Sequence, residues 1–108
     1  MNDQARYLNR LLDRYRTLHG TIGRILRDDR RTALALYRRR IGLDVVRQAF
    51  ILAAARRAFA PNPTAREPIR TLRYFLPLIA EITDTPPDPV YLLHLERRLR
   101  DAGLYPPD

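Results

Sequence analysis

Arginine is the residue type in this sequence with the clearest capacity for binding chemistry. All 20 basic residues are arginine, and 13 of them lie between residues 21 and 73. A guanidinium group stays protonated and presents a planar fork of N–H donors, which can bind a phosphate or a carboxylate through two bonds at once. Four acidic residues share segment 21–73, so its net charge is +9, against +2 for residues 1–20 and −3 for residues 74–108. This uneven charge predicts a polyanionic partner.

The candidate nucleic-acid contacts are arginines near the ends of predicted helices, together with one tyrosine that could stack on an unpaired base. They are Arg24, Arg27, Arg30, Arg31, Arg38, Arg39, Arg40, Arg56, Arg57, Arg66, Arg70, Arg73 and Tyr74. A solvated surface with cations at helix ends is the simpler alternative. Between residues 30 and 73, however, only Asp44 and Glu67 are acidic, too few to neutralise these charges. We therefore favour contact with a polyanion.

Groups that could perform catalysis or hold a metal are scarce. The sequence has no cysteine and no serine, and its two histidines, His19 and His94, are far apart. Zinc sites and nucleophile–histidine pairs therefore lack their components. Asp28 and Asp29 are adjacent, so their carboxylates diverge on a helix, and the GTIG segment at 20–23 lacks the lysine and the spacing of a phosphate-binding loop. We predict a non-enzymatic protein with no metal or cofactor.

The elements that position these side chains are predicted to be helices, because apolar residues recur at three- and four-residue steps in five segments. The segments cover about 3–19, 28–41, 44–59, 68–82 and 88–102. The third segment is the most hydrophobic, so we expect it at the centre of a compact all-α bundle of about five helices. Pro77 falls inside the fourth pattern and must kink or split that helix.

Capping residues set the predicted boundaries of the helices. Asp28 or Asp29 is expected to cap the second helix, and Gly42 is expected to end it, since glycine accepts the left-handed conformation that often follows a helix. Asp44 is expected to cap the third helix and Asp88 the fifth.

The length of 108 residues predicts a single helical domain spanning 1–108. Within it we distinguish the basic middle at 21–73, a proline-rich linker at 83–89 and an irregular tail at 104–108. No apolar run is long enough to span a bilayer, and the first residues lack the order of charges and apolar residues of a secretory signal. We therefore expect a cytoplasmic protein that makes no membrane contact.

Several residues follow one another in an order typical of a known family. They are Tyr15 and Gly20, the segment 44–55, Leu72, Arg73 and Tyr74, Leu78 and Ile79, and finally Ile82. This order resembles the C-terminal helical domain of the DnaD-like primosomal proteins, over about two-thirds of the chain. In that family a tryptophan stands where this sequence has Ile82, and a lysine-rich tail follows where this sequence has an acidic, proline-rich linker.

The resemblance implies DNA binding during replication initiation, with little sequence preference. Because the lysine-rich tail is absent, DNA contact here would pass to the arginine clusters. The sequence thus predicts an accessory domain that binds DNA or RNA with little regard to sequence, in replication initiation or transposition, alongside other replication proteins or as an oligomer. Two alternatives stay open. The chain could be a small helical subunit of a CRISPR-type RNA-guided effector complex, or a protein-interaction module that docks an acidic partner.

Overall fold

The computed structural model describes residues 2–59 and 67–105, which form five α-helices and one short 3₁₀ helix. The α-helices are α1 (Asp3–Thr17), α2 (Arg27–Arg38), α3 (Leu43–Ala58), α4 (Leu76–Asp84) and α5 (Pro89–Asp101), and the 3₁₀ helix is Leu72–Phe75. In this part of the chain no strand forms, and the only bridge joins Thr21 to Ile69. The all-α class is therefore confirmed.

Helices α1 and α2 lie against each other in opposite directions. Near the start of α1, the ring of Tyr7 meets the ring of Tyr37 edge to face at 5.2 Å between centroids, and its hydroxyl donates to the carbonyl of Ile41 at 2.7 Å. Tyr37 and Ile41 stand at the end of α2, so the beginning of one helix touches the end of the other. Burial raises the pKa of Tyr7 to about 12, which keeps this hydroxyl protonated as a donor at ordinary pH.

Helix α3 is the central element, as its composition predicts. It packs against α1, the 3₁₀ helix, α4 and α5. Its buried residues lie on all sides of the helix and run almost without interruption: Val46, Ala49, Phe50, Ile51, Leu52, Ala53, Ala54 and Ala55. The four alanines have short side chains, so the neighbouring helices can approach α3 closely from several directions.

The fourth helix begins later than the sequence predicts. Pro68 does not open it; residues 67–71 are instead extended, and the backbone of Ile69 pairs with the α1–α2 connector. The amide of Ile69 donates to the carbonyl of Gly20 at 2.7 Å, and the amide of Ile22 donates to the carbonyl of Ile69 at 3.0 Å. The segment then turns through the 3₁₀ helix into α4, where Pro77 occupies the first turn and its missing N–H removes no helical bond. Pro77 thus divides the predicted helix into two pieces, as expected.

The N-terminus of α2 is capped differently from the prediction. The helix begins at Arg27, before either aspartate, and neither Asp28 nor Asp29 is its N-cap residue. Asp29 stands in the third position and its carboxylate reaches back to accept the amide of Leu26 at 2.9 Å. An acidic side chain at the third position can accept the N-cap amide, which has no partner within the helix. An aspartate was therefore correctly expected to stabilise this end of α2, but the prediction that it is the N-cap residue was wrong.

Asp29 is also the polar centre of the core. Its side chain is fully buried, and its second oxygen accepts the amide of Leu72 at 2.9 Å and the hydroxyl of Thr71 at 3.4 Å. One carboxylate therefore ties the start of α2 to the chain that enters the 3₁₀ helix. The neighbouring Tyr15 is fully buried, its hydroxyl has no hydrogen-bond partner among the described residues, and burial together with the charge of Asp29 raises its pKa to about 12.

The boundaries of α5 agree with the sequence. The Asp88 carboxylate accepts the amide of Val90 at 2.7 Å, Pro89 is the first helical residue, and Gly103 has the left-handed φ of 70° after the helix. Asp44, by contrast, is not the cap of α3, which begins after Gly42 without a side-chain cap. Tyr105 in the irregular tail is buried, while residues 60–66 and 106–108 lie outside the described residues. None of the described helices is long and apolar enough to cross a membrane.

Candidate nucleic-acid interface

The exposed side of α2 is lined by four arginines that we call the α2 arginine face. Arg30 and Arg31 follow Arg27 by three and four residues, and Arg38 follows Arg31 by seven. The four therefore share one side of the helix, and all of them are exposed. The buried residues of α2, including Asp29, lie on the opposite side. From the first to the last arginine the face is about 16 Å long at 1.5 Å per residue.

Further candidate arginines extend this face at both ends. Arg24 precedes α2, Arg39 and Arg40 follow it, and Arg70 lies in the extended segment that pairs with the connector; all four are exposed. Among the described residues, no carboxylate lies within ion-pair distance of these four or of the α2 arginine face. Eight cations are therefore available to an external anion, and we call them together the basic surface.

A groove of about 380 Å³ runs beside this face, between α2 and the start of α4. Its lining includes Arg31 and Arg39 of the basic surface, and Arg73 from the 3₁₀ helix. Arg73 is committed to Asp28, with Nε 2.9 Å from a carboxylate oxygen, so Arg31 and Arg39 supply the unneutralised charge of this groove. An anionic group that approaches α2 would meet positive charge on this flank as well as on its outer side.

The structure separates Arg56 from the basic surface. Its guanidinium contacts Glu81 of α4 at 2.9 Å, in a pair that is more than half exposed on both sides. The hydrogen bond and charge of Arg56 lower the pKa of Glu81, and the bond to Glu81 raises the pKa of Arg56. Both groups are therefore ionised at neutral pH, and the pair offers an anion little net charge.

Arg57 and Tyr74 form a separate cluster at the end of α3. Arg57 donates to the carbonyl of Glu67 at 3.1 Å, and its guanidinium carbon lies 5.9 Å from the centre of the Tyr74 ring. Tyr74 also meets the ring of Phe75 edge to face at 5.2 Å, and is 44% exposed. Arg57 and Phe75 therefore contact the Tyr74 ring, and the rest of the ring is exposed. The remaining candidate, Arg66, lies outside the described residues.

Arg10 and Arg14 are two surface arginines that the sequence interpretation did not include. They follow Tyr7 by three and then four residues, so they lie on the flank of α1 that contacts α2, and both are exposed. No carboxylate among the described residues lies within ion-pair distance of either. They border the basic surface across the α1–α2 seam. The four-residue spacing of these arginines could have been recognised in the sequence. The sequence does not show, however, that this flank of α1 faces α2.

Arg40 occupies a backbone conformation that favours glycine. Its φ is 60°, and the amide of Ile41 beyond it donates to the carbonyl of Leu36 at 3.0 Å, the bond that closes the C-terminus of α2. The equivalent turn after α5 places Gly103 in the left-handed position. An arginine there costs about 1 kcal/mol relative to glycine. The chain thus carries a cation at a position where glycine would make the fold more stable.

We expect Arg40→Gly to raise stability and to lower affinity for nucleic acid. Relief of the left-handed strain should stabilise the fold by about 1 kcal/mol, which raises Tm by roughly 4–8 °C. Loss of one phosphate contact should weaken binding about five- to eightfold at 0.1 M salt. Thermal unfolding and fluorescence anisotropy measure the two effects. Arg39→Gly is the matched control, since it removes the same charge from a residue with φ of −81° and should not stabilise. Unchanged affinity would remove Arg40 from the interface.

Among the described residues, no group of three histidines or carboxylates could hold a metal ion. His19 and His94 are both exposed, the first after α1 and the second on α5.

Comparisons of this chain with models of known protein families, with characterised proteins and with solved structures find no match. The resemblance to the DnaD-like domain stays a prediction.

Proposed function

We propose that this protein binds DNA or RNA with little sequence preference, through the basic surface on α2 and its flanks. The observation that carries the proposal is the set of eight exposed arginines for which no carboxylate partner lies within reach among the described residues. Exposed cations without internal partners repel one another, and a polyanion relieves that repulsion. Phosphates spaced along a strand match a row of guanidinium groups better than a single acidic side chain does.

The side chains of α2 favour contact with the phosphate backbone over pairing with adenine. Phosphate contacts position a protein on nucleic acid but carry no direct sequence information. Asparagine and glutamine, the side chains that pair with adenine in the major groove, are absent from α2. A role in replication initiation rests on the resemblance alone.

Removing two arginines from the α2 arginine face should weaken binding strongly. We expect Arg30→Ala/Arg31→Ala to lower affinity roughly 25- to 60-fold at 0.1 M salt, because each phosphate contact contributes about 0.7 to 0.9 of a decade there. Fluorescence anisotropy with labelled single-stranded DNA, duplex DNA and RNA of equal length measures the loss and identifies the preferred ligand.

The matched control removes the same charge from other elements. Arg16 is paired with Asp13 on α1 and Arg56 with Glu81 of α4, so Arg16→Ala/Arg56→Ala should change affinity less than threefold through the lower net charge alone. Equal losses in both variants would show that total charge, not the α2 arginine face, governs binding. If the wild-type chain binds none of the three ligands at low salt, the proposal fails, and an acidic protein becomes the partner to seek.

A further inference from the structure

Helix α5 has an outer side that no other element covers. Five large apolar residues in the described chain are exposed, and three of them, Val90, Tyr91 and Leu93, lie on α5. Val90 is 74% exposed and Leu93 is 48% exposed. Val90 lies between the other two around the helix: Leu93 is about 60° to one side of it and Tyr91 about 100° to the other. A cluster of apolar side chains on one helix is typical of an interaction site, whereas scattered ones are not.

A groove of about 400 Å³ adjoins the Tyr91 flank of this side, between α3 and α5. Its apolar floor includes Leu52, Ala55 and Leu95, and its walls include Phe59 and Tyr91. The groove and the exposed side chains form one continuous surface, because Tyr91 belongs to both. The groove, which has room for an apolar side chain, therefore lies directly beside solvent-exposed apolar side chains.

The charges along α5 are arranged so that the surface complements itself. Asp84 and Asp88, both exposed, lie at or before its N-terminus, while Arg97 and Arg98 are exposed near its C-terminus. The guanidinium carbon of Arg98 lies 4.0 Å from the centre of the Phe59 ring, at the edge of the groove. Among the described residues neither arginine is within ion-pair distance of a carboxylate. Asp101 is also exposed at the C-terminal end, but Arg97 and Arg98 leave that end with an excess of positive charge, so two such helices in opposite directions bring acidic ends to basic ends.

We infer that a second copy of this chain docks on α5, with the two helices antiparallel about a two-fold axis. A two-fold contact uses the same surface on both copies, so it requires a surface with projections, a recess and both signs of charge, and α5 with its groove has all of these. Val90 and Leu93 of each copy pack between the two helices, with Tyr91 and the groove at the edge of the contact. The acidic N-terminal end of each α5 faces Arg97 and Arg98 of the other copy. This inference does not rest on nucleic-acid binding.

Sedimentation velocity of the full chain over about 1–200 µM tests the inference. An interface built on three exposed apolar side chains per copy is small, so we expect a monomer–dimer equilibrium with Kd on the order of 10–100 µM. Leu93→Asp places a charge in the apolar contact and should raise Kd at least about tenfold. The control variant is Leu26→Asp, which makes the same change at another exposed leucine. Leu26 is the N-cap residue of α2, a position where aspartate is well tolerated.

The outcomes divide clearly. Dimerisation of the wild-type chain and of Leu26→Asp, with monomeric Leu93→Asp over the same range and unchanged circular dichroism, would support the inference. A wild-type chain that stays monomeric at 200 µM would overturn it, and so would a Leu93→Asp variant that dimerises as well as the wild-type chain. In the monomeric case an acidic amphipathic segment of another protein would be the next occupant to test.

Discussion

Raising the salt concentration from about 50 to 200 mM should weaken the binding of nucleic acid by roughly 10³- to 10⁵-fold. The reason is counterion release: each guanidinium that neutralises a phosphate frees a condensed cation, and the basic surface offers eight such groups. Arg10 and Arg14 stand beside them across the α1–α2 seam. Anisotropy titrations at four or five salt concentrations give the slope of log affinity against log salt, which reports the number of contacts directly.

The slope separates the basic surface from the rest of the molecule. With eight contacts it should be about −6 for single strands and about −7 for duplex DNA, and Arg30→Ala/Arg31→Ala should make it shallower by about 1.4 to 1.8. The Arg16→Ala/Arg56→Ala control should leave it unchanged. A wild-type slope shallower than about −2 would contradict a phosphate-binding surface of this extent, because it would correspond to two or three contacts.

Asp29→Asn should destabilise the fold by about 2–4 kcal/mol and lower Tm by on the order of 10–20 °C. The aspartate is fully buried, and its two oxygens accept the amides of Leu26 and Leu72. An asparagine has only one acceptor oxygen, so one of these amides would face an NH₂ group and lose its bond inside the core. The remaining bond would also lose the strength that a full negative charge gives it. Urea unfolding followed by circular dichroism measures the change.

Asp28→Asn provides a control at the adjacent position. Asp28 contacts Arg73 in an exposed pair, so its neutralisation should change the free energy of unfolding by less than about 1 kcal/mol. Similar losses at both positions would mean that the charge of the α2 N-terminus, and not the buried bonds of Asp29, stabilises this end of the helix.

Local features of the sequence predicted α5 well and α4 poorly, for a physical reason. Asp88, Pro89 and Gly103 act on their immediate neighbours, so their meaning can be read where they stand. The extended path of residues 67–71 instead depends on pairing with the connector at Gly20 and Ile22, far away in the chain. Apolar spacing in that segment fits a helix equally well, and only the packed structure decides between the two.

The candidate site shows the same division. Three adjacent cations cannot all enter a core, so the sequence predicts that at least two of Arg38, Arg39 and Arg40 are exposed, and all three are. The commitment of Arg73 to Asp28 and of Arg56 to Glu81 did not, since these partners are 45 and 25 residues apart. Counting acids along the chain therefore overestimated the number of available arginines on α3 and the 3₁₀ helix, and it overlooked those on α1.

The bond between Asp29 and the Leu72 amide also bears on how distant relatives could be traced. Arginines on the surface of α2 can exchange places over time, because any cation at helical spacing meets a phosphate. A buried carboxylate that serves a backbone amide 43 residues away has no such freedom. Position 29 must keep a short acid, and position 72 must keep its N–H and so excludes proline. An aspartate in the first turn of a helix, followed at that distance by an apolar residue after a threonine, is expected to persist when the arginine pattern has changed.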